Sequence, residues 1–123
     1  MATPAEHWKD EPDDQDYPAA ESYLSLLMEP AAARKQVKAL RQVGPLAHYH
    51  AKDVLRASNL ALLPPDDVHV ASDLAKVKAG RKLSPVLLVR GVPLLVADGY
   101  HRVCASYHLD ENADIPCRIA SRA

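Results

Sequence analysis

The sequence predicts an α+β domain in which a helical N-terminal half packs against a small mixed β-sheet. Apolar residues recur at helical spacing between residues 19 and 58. Beyond residue 83 the pattern changes to short apolar runs, at residues 86–89 and 94–97, which have the length of strands. Residues 115–120 alternate apolar and other side chains, as a strand with one buried face does.

The chain of 123 residues is long enough for one domain with a hydrophobic core and short for two. Residues 1–18 are predicted to be a flexible acidic tail, because acidic side chains and three prolines dominate them and no apolar period is sustained. Trp8 and Tyr17 are the only large side chains there that could fold back onto the rest. Residues 19–123 are predicted to form a single domain.

Net charge gives little support to a nucleic-acid partner. The formal charge is −1, and with the acidic tail set aside the remainder is mildly basic, without the clustered basic surface that nucleic-acid binding favours. No apolar run is long enough to span a bilayer, and no signal-peptide pattern is present. We therefore expect a cytoplasmic protein with no membrane partner. A DNA partner and a homodimer are left open.

Metal binding is not favoured by the cysteines or the histidines. Cys104 and Cys117 lack metal-ligand spacing, which predicts a reducing compartment and no zinc site. His48 and His50 would share a face in a strand but not in a helix, and no third ligand is obvious nearby. A metal site at the two histidines is therefore the minor interpretation.

Three helices are predicted in the N-terminal half, at residues 19–28, 31–43 and 51–58. Gly44-Pro45 ends the second helix. That helix has two interpretations: a nucleic-acid surface, or the solvated side of an amphipathic helix, which is the commoner role of basic side chains. The basic residues concerned are Arg34, Lys35, Lys38 and Arg41.

A further helix is predicted before the first strand. Residues 68–70 are expected to be a short extended piece, and residues 74–79 a helix. Ser72 or Asp73 would cap this helix, and Gly80 would end it.

Residues 94–105 form the most informative stretch, because an apolar strand leads through Gly99 into a helix that runs from Tyr100 to about residue 109. Glycine accepts the turned backbone that other residues resist, and the first amides of a helix attract anions. His101 and Arg102 add side-chain donors. Two interpretations stay open: a phosphate-binding turn with Arg102 as its strongest side-chain contact, or a tight turn whose Arg102 makes a surface ion pair.

This stretch resembles the second conserved box of the ParB/sulfiredoxin-like superfamily, where a strand, a glycine, basic residues and a helix precede an Ile-Pro strand. The resemblance covers roughly residues 70–119. It rests on Asp98-Gly99-Tyr100-His101-Arg102, Ala105, Ile115-Pro116-Cys117-Arg118-Ile119 and the strand Leu83-Ser84-Pro85-Val86-Leu87-Leu88-Val89.

The resemblance implies a ParB/sulfiredoxin-like fold and a nucleotide ligand, ATP or CTP with Mg²⁺. It assigns Gly99, Tyr100, His101 and Arg102 to the nucleotide phosphates, and Lys76 to the lysine that a helix of that fold directs toward the nucleotide. Tyr100 stands where sulfiredoxin has its catalytic cysteine, which argues against sulfinic-acid reductase activity. The histidine before Arg102 is closer to sulfiredoxin and to the free-serine kinases of the same fold than to ParB.

Two functions follow from this interpretation. The first is a nucleotide-dependent phosphotransferase or NTP hydrolase, in which a carboxylate holds the metal or accepts a proton. Asp98 and Asp73 are the candidate catalytic residues, with Asp66 and Asp67 as further candidates. The alternative is a non-catalytic DNA- or protein-binding module that uses nucleotide as a switch. The helix-turn-helix that follows the box in ParB proteins is missing after Asp98-Arg102 in this sequence, which weighs against the DNA-binding form.

Overall fold

The computed structural model describes residues 7–123, which form a mixed α+β fold. The helices and strands follow one another as α1 (Asp16–Leu24), α2 (Pro30–Gln42), β1 (Ala47–His50), α3 (Ala51–Ser58), α4 (Val68–Lys78), β2 (Val86–Val89), β3 (Leu95–Asp98), α5 (Tyr100–Leu109) and β4 (Asp114–Ala120). The predicted fold class is therefore confirmed at the level of an α+β domain with a mixed sheet.

The four strands pair in the order β1-β4-β2-β3. β4 runs antiparallel to β1 and parallel to β2, while β2 and β3 form an antiparallel pair with an irregularity between Leu87 and Leu88. The parallel pair requires a crossover, and α5 supplies it between β3 and β4. The turn into α5 therefore lies at the edge strand of the sheet.

Helices cover both faces of this sheet. α1 and α2 pack on one face through a buried cluster that includes Tyr17, Leu24 and Leu40. α3, α4 and α5 pack on the other face, around Val70 and Val103. Two hydrophobic cores therefore lie on either side of one sheet.

The strand β2 is common to both cores, which explains its uninterrupted apolar sequence. Leu87 and Val89 belong to the α1–α2 core, while Val86 and Leu88 belong to the core beneath α3–α5. Successive side chains of a strand alternate between faces, so a strand covered on both sides needs apolar residues at every position. The predicted buried strand is confirmed.

Most of the predicted helices are confirmed with small changes in their bounds. α3 and α5 begin and end as expected, and α2 starts one residue early, because Pro30 occupies its first turn, where proline is tolerated. Cys104 is fully buried in the α3–α5 core, as predicted for a packed apolar residue. None of the helices within residues 7–123 is long and apolar enough to cross a membrane.

The expectation of a flexible tail over residues 1–18 is wrong for the part that the structure describes. Trp8 is 4% exposed and pairs with Leu83 in a parallel bridge. The amide of Lys9 donates a hydrogen bond to the carbonyl oxygen of Leu83 at 2.8 Å. α1 begins at Asp16, not at residue 19, and both Asp16 and Tyr17 are buried. The large apolar area of the two aromatic side chains outweighs the acidic composition around them. Residues 1–6 of the predicted tail lie outside the described residues.

The expectations for residues 68–79 also need correction. Residues 68–70 are the first turn of α4 and not an extended piece, and the helix cap is Asp67 instead of Ser72 or Asp73. Asp67 accepts hydrogen bonds from the amides of His69 at 3.0 Å and Val70 at 3.1 Å. The helix therefore starts six residues earlier than predicted.

Candidate functional site

A polar cleft of about 190 Å³ lies between α4 and the Gly99 turn at the start of α5. Most of the residues that the sequence analysis assigned to the site line it, although they come from segments more than twenty positions apart. The lining residues are His69, Ser72, Asp73, Lys76, Asp98, Gly99, His101 and Arg102.

One face of α4 forms one wall of the cleft. His69, Ser72, Asp73 and Lys76 recur at spacings of three and four residues, which brings them onto the same side of a helix. His69 was missed as a site residue because residues 68–70 were expected to be extended. The signal that could have found it is Asp67, a good cap residue directly before this spacing.

The Gly99 turn forms the opposite wall. Gly99 has φ 112° and ψ 14°, in the left-handed region that favours glycine, and it serves as the N-cap of α5 without any side-chain capping bond. A Cβ atom added here would lie 2.9 Å from Cγ2 of Val86 and 3.0 Å from Nη2 of Arg102. The requirement for glycine therefore comes from the backbone conformation and from close packing below the turn.

The start of α5 is open to the cleft. The first amides of a helix have no partner within it, and together they carry a partial positive charge. The amide of Val103 donates to the carbonyl of Gly99 at 3.1 Å, so this amide is paired within the helix. The amides that remain at this end belong to Tyr100, His101 and Arg102.

Arg102 lines the cleft, and internal acceptors engage its guanidinium. Its Nη2 lies 3.1 Å from Oδ2 of Asp98, 3.5 Å from Oδ2 of Asp16 and 3.3 Å from the carbonyl oxygen of Pro85. Only 17% of its side chain is exposed. The guanidinium is therefore held beneath the Gly99 turn by internal acceptors, neither free as the strongest contact of an anion nor engaged in a surface ion pair.

The two candidate catalytic carboxyl groups have similar environments. Burial raises the pKa of Asp98, an effect that Arg102 opposes and Asp16 reinforces. Burial also raises the pKa of Asp73, opposed by the positive charge of Lys76 and then of Arg102. Raised carboxyl pKa values in a cleft suit general acid–base chemistry.

A lysine and two histidines surround the free side of the cleft. Nζ of Lys76 lies 3.7 Å from Oδ1 of Asp73, and 46% of the lysine side chain is exposed. The rings of His69 and His101 are 4.7 Å apart between centroids, one from each wall. Lys76 and the two histidines, in contrast to Arg102, can therefore turn toward a bound anion.

Tyr100 does not join the cleft, although it was predicted to bind the nucleotide. Its hydroxyl donates a hydrogen bond to the carbonyl oxygen of Ala61 in the α3–α4 connection. The tyrosine therefore fixes the first turn of α5 against that connection.

The arrangement offers oxygen ligands but no preformed metal cage. Within residues 7–123 no three His, Cys, Asp or Glu side chains are grouped so that they could hold a metal ion. Mg²⁺ is commonly bound by one or two carboxylates together with the phosphates of a substrate, and Asp73 and Asp98 fit that arrangement. Asp67 caps α4, Asp66 is exposed on the surface, and His48 and His50 lie in β1, away from the cleft.

Comparison of the chain with protein-family models, with curated proteins and with solved structures gave no significant match.

Proposed function

We propose that this chain is a ParB/sulfiredoxin-like domain that binds the phosphate groups of a nucleotide in the cleft between α4 and α5. The observation that carries the proposal is the uncapped start of α5, which opens at Gly99 into the same cleft as Lys76 and the two histidines. A helix end with free amides beside cationic side chains is a general anion-binding arrangement.

The fold assignment within this proposal is supported by the order of elements around Gly99. The edge strand β3, the glycine turn, α5 and the Ile115-Pro116 strand β4 follow one another as in the superfamily box that the sequence resembles. The turn follows β3, which is an edge strand of the sheet, and α5 leads from it to β4, which is parallel to β2.

The size of the cleft limits which part of a nucleotide it would hold. A volume of about 190 Å³ suits a phosphate group better than a whole nucleotide. Base and sugar would then lie outside, over the exposed ends of α4 and α5. ATP and CTP would bind through their shared phosphates, and the cleft itself would discriminate little between them.

Lys76 tests the phosphate site directly. Isothermal titration of ATP, CTP and inorganic pyrophosphate, each with Mg²⁺, should give about tenfold weaker binding in Lys76→Ala than in wild type, because a charge-assisted contact is lost. Lys78→Ala is the matched control, since Lys78 is an exposed lysine of the same helix that does not line the cleft. Equal affinities in the wild type and Lys76→Ala, or equal losses in both variants, would contradict the proposal.

Within this proposal the phosphotransferase or hydrolase activity depends on a carboxylate that is free to act. Asp73 is the better candidate for proton transfer or for holding Mg²⁺, because Asp98 is bound to Arg102. Mg²⁺ when bound would supply neutralisation of phosphate charge. The alternative is a non-catalytic nucleotide switch, which the Asp98–Arg102 ion pair favours because it engages one of the two candidate catalytic carboxylates. This alternative predicts saturable nucleotide binding without release of phosphate.

A further inference from the structure

Most of the basic residues that the sequence analysis noted on α2 line a groove between α1 and α2. The groove has a volume of about 490 Å³ and lies on the α1–α2 side of the sheet, opposite the cleft. Arg34, Lys38 and Arg41 contribute to its wall, at spacings of four and three residues that place them on one side of the helix. We refer to these three as the groove cations. Lys35 is exposed on the same helix but does not line the groove.

The groove cations are not neutralised by the described part of the protein. Within residues 7–123 none of them forms an ion pair, although Glu21 of α1 lines the same groove. Arg56 and Lys76, by contrast, each pair with an aspartate of their own helix. Three positive charges therefore share a concave surface with one carboxylate, and such a surface concentrates the field of its excess charge.

Arg41 is held in place by an aromatic ring. Its guanidinium carbon lies 4.1 Å from the centroid of the Tyr17 ring, which is itself buried. The ring stabilises the cation without using its N–H donors, which remain available for two parallel hydrogen bonds to a carboxylate. A guanidinium that is already ordered loses less conformational freedom when a ligand binds.

An exposed apolar cluster lies at the connection between α1 and α2. Tyr23 is 41% exposed, Leu26 82% and Leu27 49%, and we refer to these three residues as the apolar cluster. All of them lie within five positions of Ser22, which lines the groove. Exposed apolar side chains that are grouped in this way are typical of a surface that binds another macromolecule. The groove therefore has an apolar surface next to its Ser22 end.

Negative charge borders the other end of the groove. The segment that leads into α1 exposes Asp10, Glu11 and Asp14, and α1 then enters the groove at Tyr17. A long polyanion such as a nucleic acid would extend from the groove cations toward these carboxylates and be repelled by them. A short acidic segment can end where the cations end. The charges along the groove therefore favour a protein segment.

The shape of the groove favours the same class of partner. Tyr17, the aromatic residue that lines it, is 6% exposed and covered by Arg41, so a nucleic-acid base would find no open ring there on which to stack. A flat membrane surface fits a concave groove poorly, whereas an extended or helical peptide can enter it.

We propose that the α1–α2 surface docks a segment of a partner protein that combines acidic and large apolar side chains. The carboxylates of this segment pair with the groove cations, and its apolar side chains pack on the apolar cluster. The docking surface is separate from the nucleotide site proposed above, which lies on the other side of the sheet, and does not depend on it.

The test begins with random peptides displayed on phage and selected on the immobilised chain. The enriched peptides should combine aspartate or glutamate with large apolar residues. Fluorescence anisotropy at about 0.15 M salt then measures the affinity of the most enriched peptide for wild type, Lys38→Glu and Lys35→Glu. Lys38→Glu should bind it about tenfold more weakly than wild type, because an attraction becomes a repulsion. Lys35→Glu makes the same change of charge outside the groove and should lose much less. Selection without acidic peptides, or equal losses in the two variants, would overturn the proposal.

The apolar cluster is tested with the same peptide. Leu26→Ser should weaken binding about tenfold, because the apolar area that the peptide covers is reduced. Val68→Ser is the matched control, at a position on α4 that is 78% exposed, and should leave the affinity unchanged. An affinity of Leu26→Ser equal to that of wild type would overturn the proposal.

Three further probes distinguish the classes of partner: single-stranded DNA, double-stranded DNA, and vesicles of phosphatidylserine with phosphatidylcholine. Wild type should bind none of them as tightly as it binds the selected peptide. If one of them binds more tightly, and Lys38→Glu weakens that binding more than Lys35→Glu does, the surface serves nucleic acid or membrane and the proposal is wrong.

Discussion

The two helices that line the cleft begin in opposite ways. α4 starts at Asp67, whose Oδ1 accepts the amides of His69 and Val70, while α5 starts at Gly99 with no side-chain cap. A carboxylate at a helix N-terminus both pairs the free donors and neutralises the positive end of the helix dipole. The N-terminus of α4 is thus capped by a side chain of the protein itself, and the N-terminus of α5 is not.

This difference indicates where an anion would bind. At α4 a phosphate would have to displace or approach a carboxylate. At α5 it would meet unpaired amides, with His101 in the first turn and Lys76 opposite. The difference between the two helix starts depends on Gly99 and Arg102 at the N-terminus of α5 and on Asp67 at the N-terminus of α4.

Arg102→Met should produce the largest effect, because it leaves Asp16 and Asp98 without their shared cation. Breaking a buried pair costs about 3–5 kcal/mol, and the partial exposure of this one favours the lower end, about 3 kcal/mol. Urea unfolding of the wild type and of Arg102→Met measures this difference in the free energy of unfolding.

Two further variants check the cause of that loss. Arg56→Met removes an arginine that is 80% exposed and paired with Asp53, and should change stability by less than about 0.5 kcal/mol. Adding Asp16→Asn to Arg102→Met should restore part of the stability, since one unpaired carboxylate is gone. A loss in the double variant equal to the sum of the single losses would contradict the shared-cation account.

Gly99→Ala should destabilise the protein by about 1–3 kcal/mol, because alanine must adopt a positive φ and its Cβ would meet Val86 and Arg102. Gly80→Ala is the matched control: Gly80 also has a positive φ, of 80°, but a Cβ there has nothing within 4 Å. The difference between the two variants in thermal or urea unfolding isolates the contacts beneath the turn. Equal losses would show that those contacts relax freely.

Asp67→Ala should have the smallest effect, a fall of a few degrees in Tm from loss of the α4 cap. Asp67→Ser should recover most of that loss, because serine caps helices without carrying charge. If alanine and serine behave alike, the capping bonds contribute little.

The pH dependence of Asp67→Ser sharpens the same contrast. Hydrogen bonds from the amides of Val70 and His69 lower the pKa of Asp67 from its ordinary value of 3.8, so the folded protein favours the ionised form. That stabilising contribution is fully present above pH 3.8 and is lost as the pH falls through the lower value in the folded protein. Urea unfolding of the wild type relative to Asp67→Ser should therefore show a relative loss of stability in the wild type only in acid.

Local signals in the sequence were sufficient for the elements nearest the motif. The apolar run of β2, the glycine before α5 and the length of α5 each depend on residues close together in the chain, and each was predicted. Six residues that the resemblance or the choice of candidate carboxylates had named line one cleft, and their role in binding stays a prediction: Asp73, Lys76, Asp98, Gly99, His101 and Arg102.

What the sequence did not predict depends on contacts between distant segments. Asp16 contacts Ser84, 68 positions away, and Arg102, 86 positions away. No local periodicity in the sequence predicts such contacts. The acidic composition of the first residues predicted a tail because composition counts charges and does not locate their partners. The early start of α4 was missed because Val68 is exposed and its first turn lacks an apolar period.

The docking of the first segment also has a consequence for the order in which the chain acquires its structure. During synthesis Trp8 and Asp16 are made long before Leu83 and Arg102, the residues against which they finally pack. Until those partners emerge, the segment carries a large apolar side chain and a carboxylate with no place to bury them. Contacts of such sequence separation close late and slow folding. In a nascent chain that ends before β2, we therefore expect the segment containing Trp8 and Asp16 to remain sensitive to protease. This segment should become protected only once α5 has been synthesised.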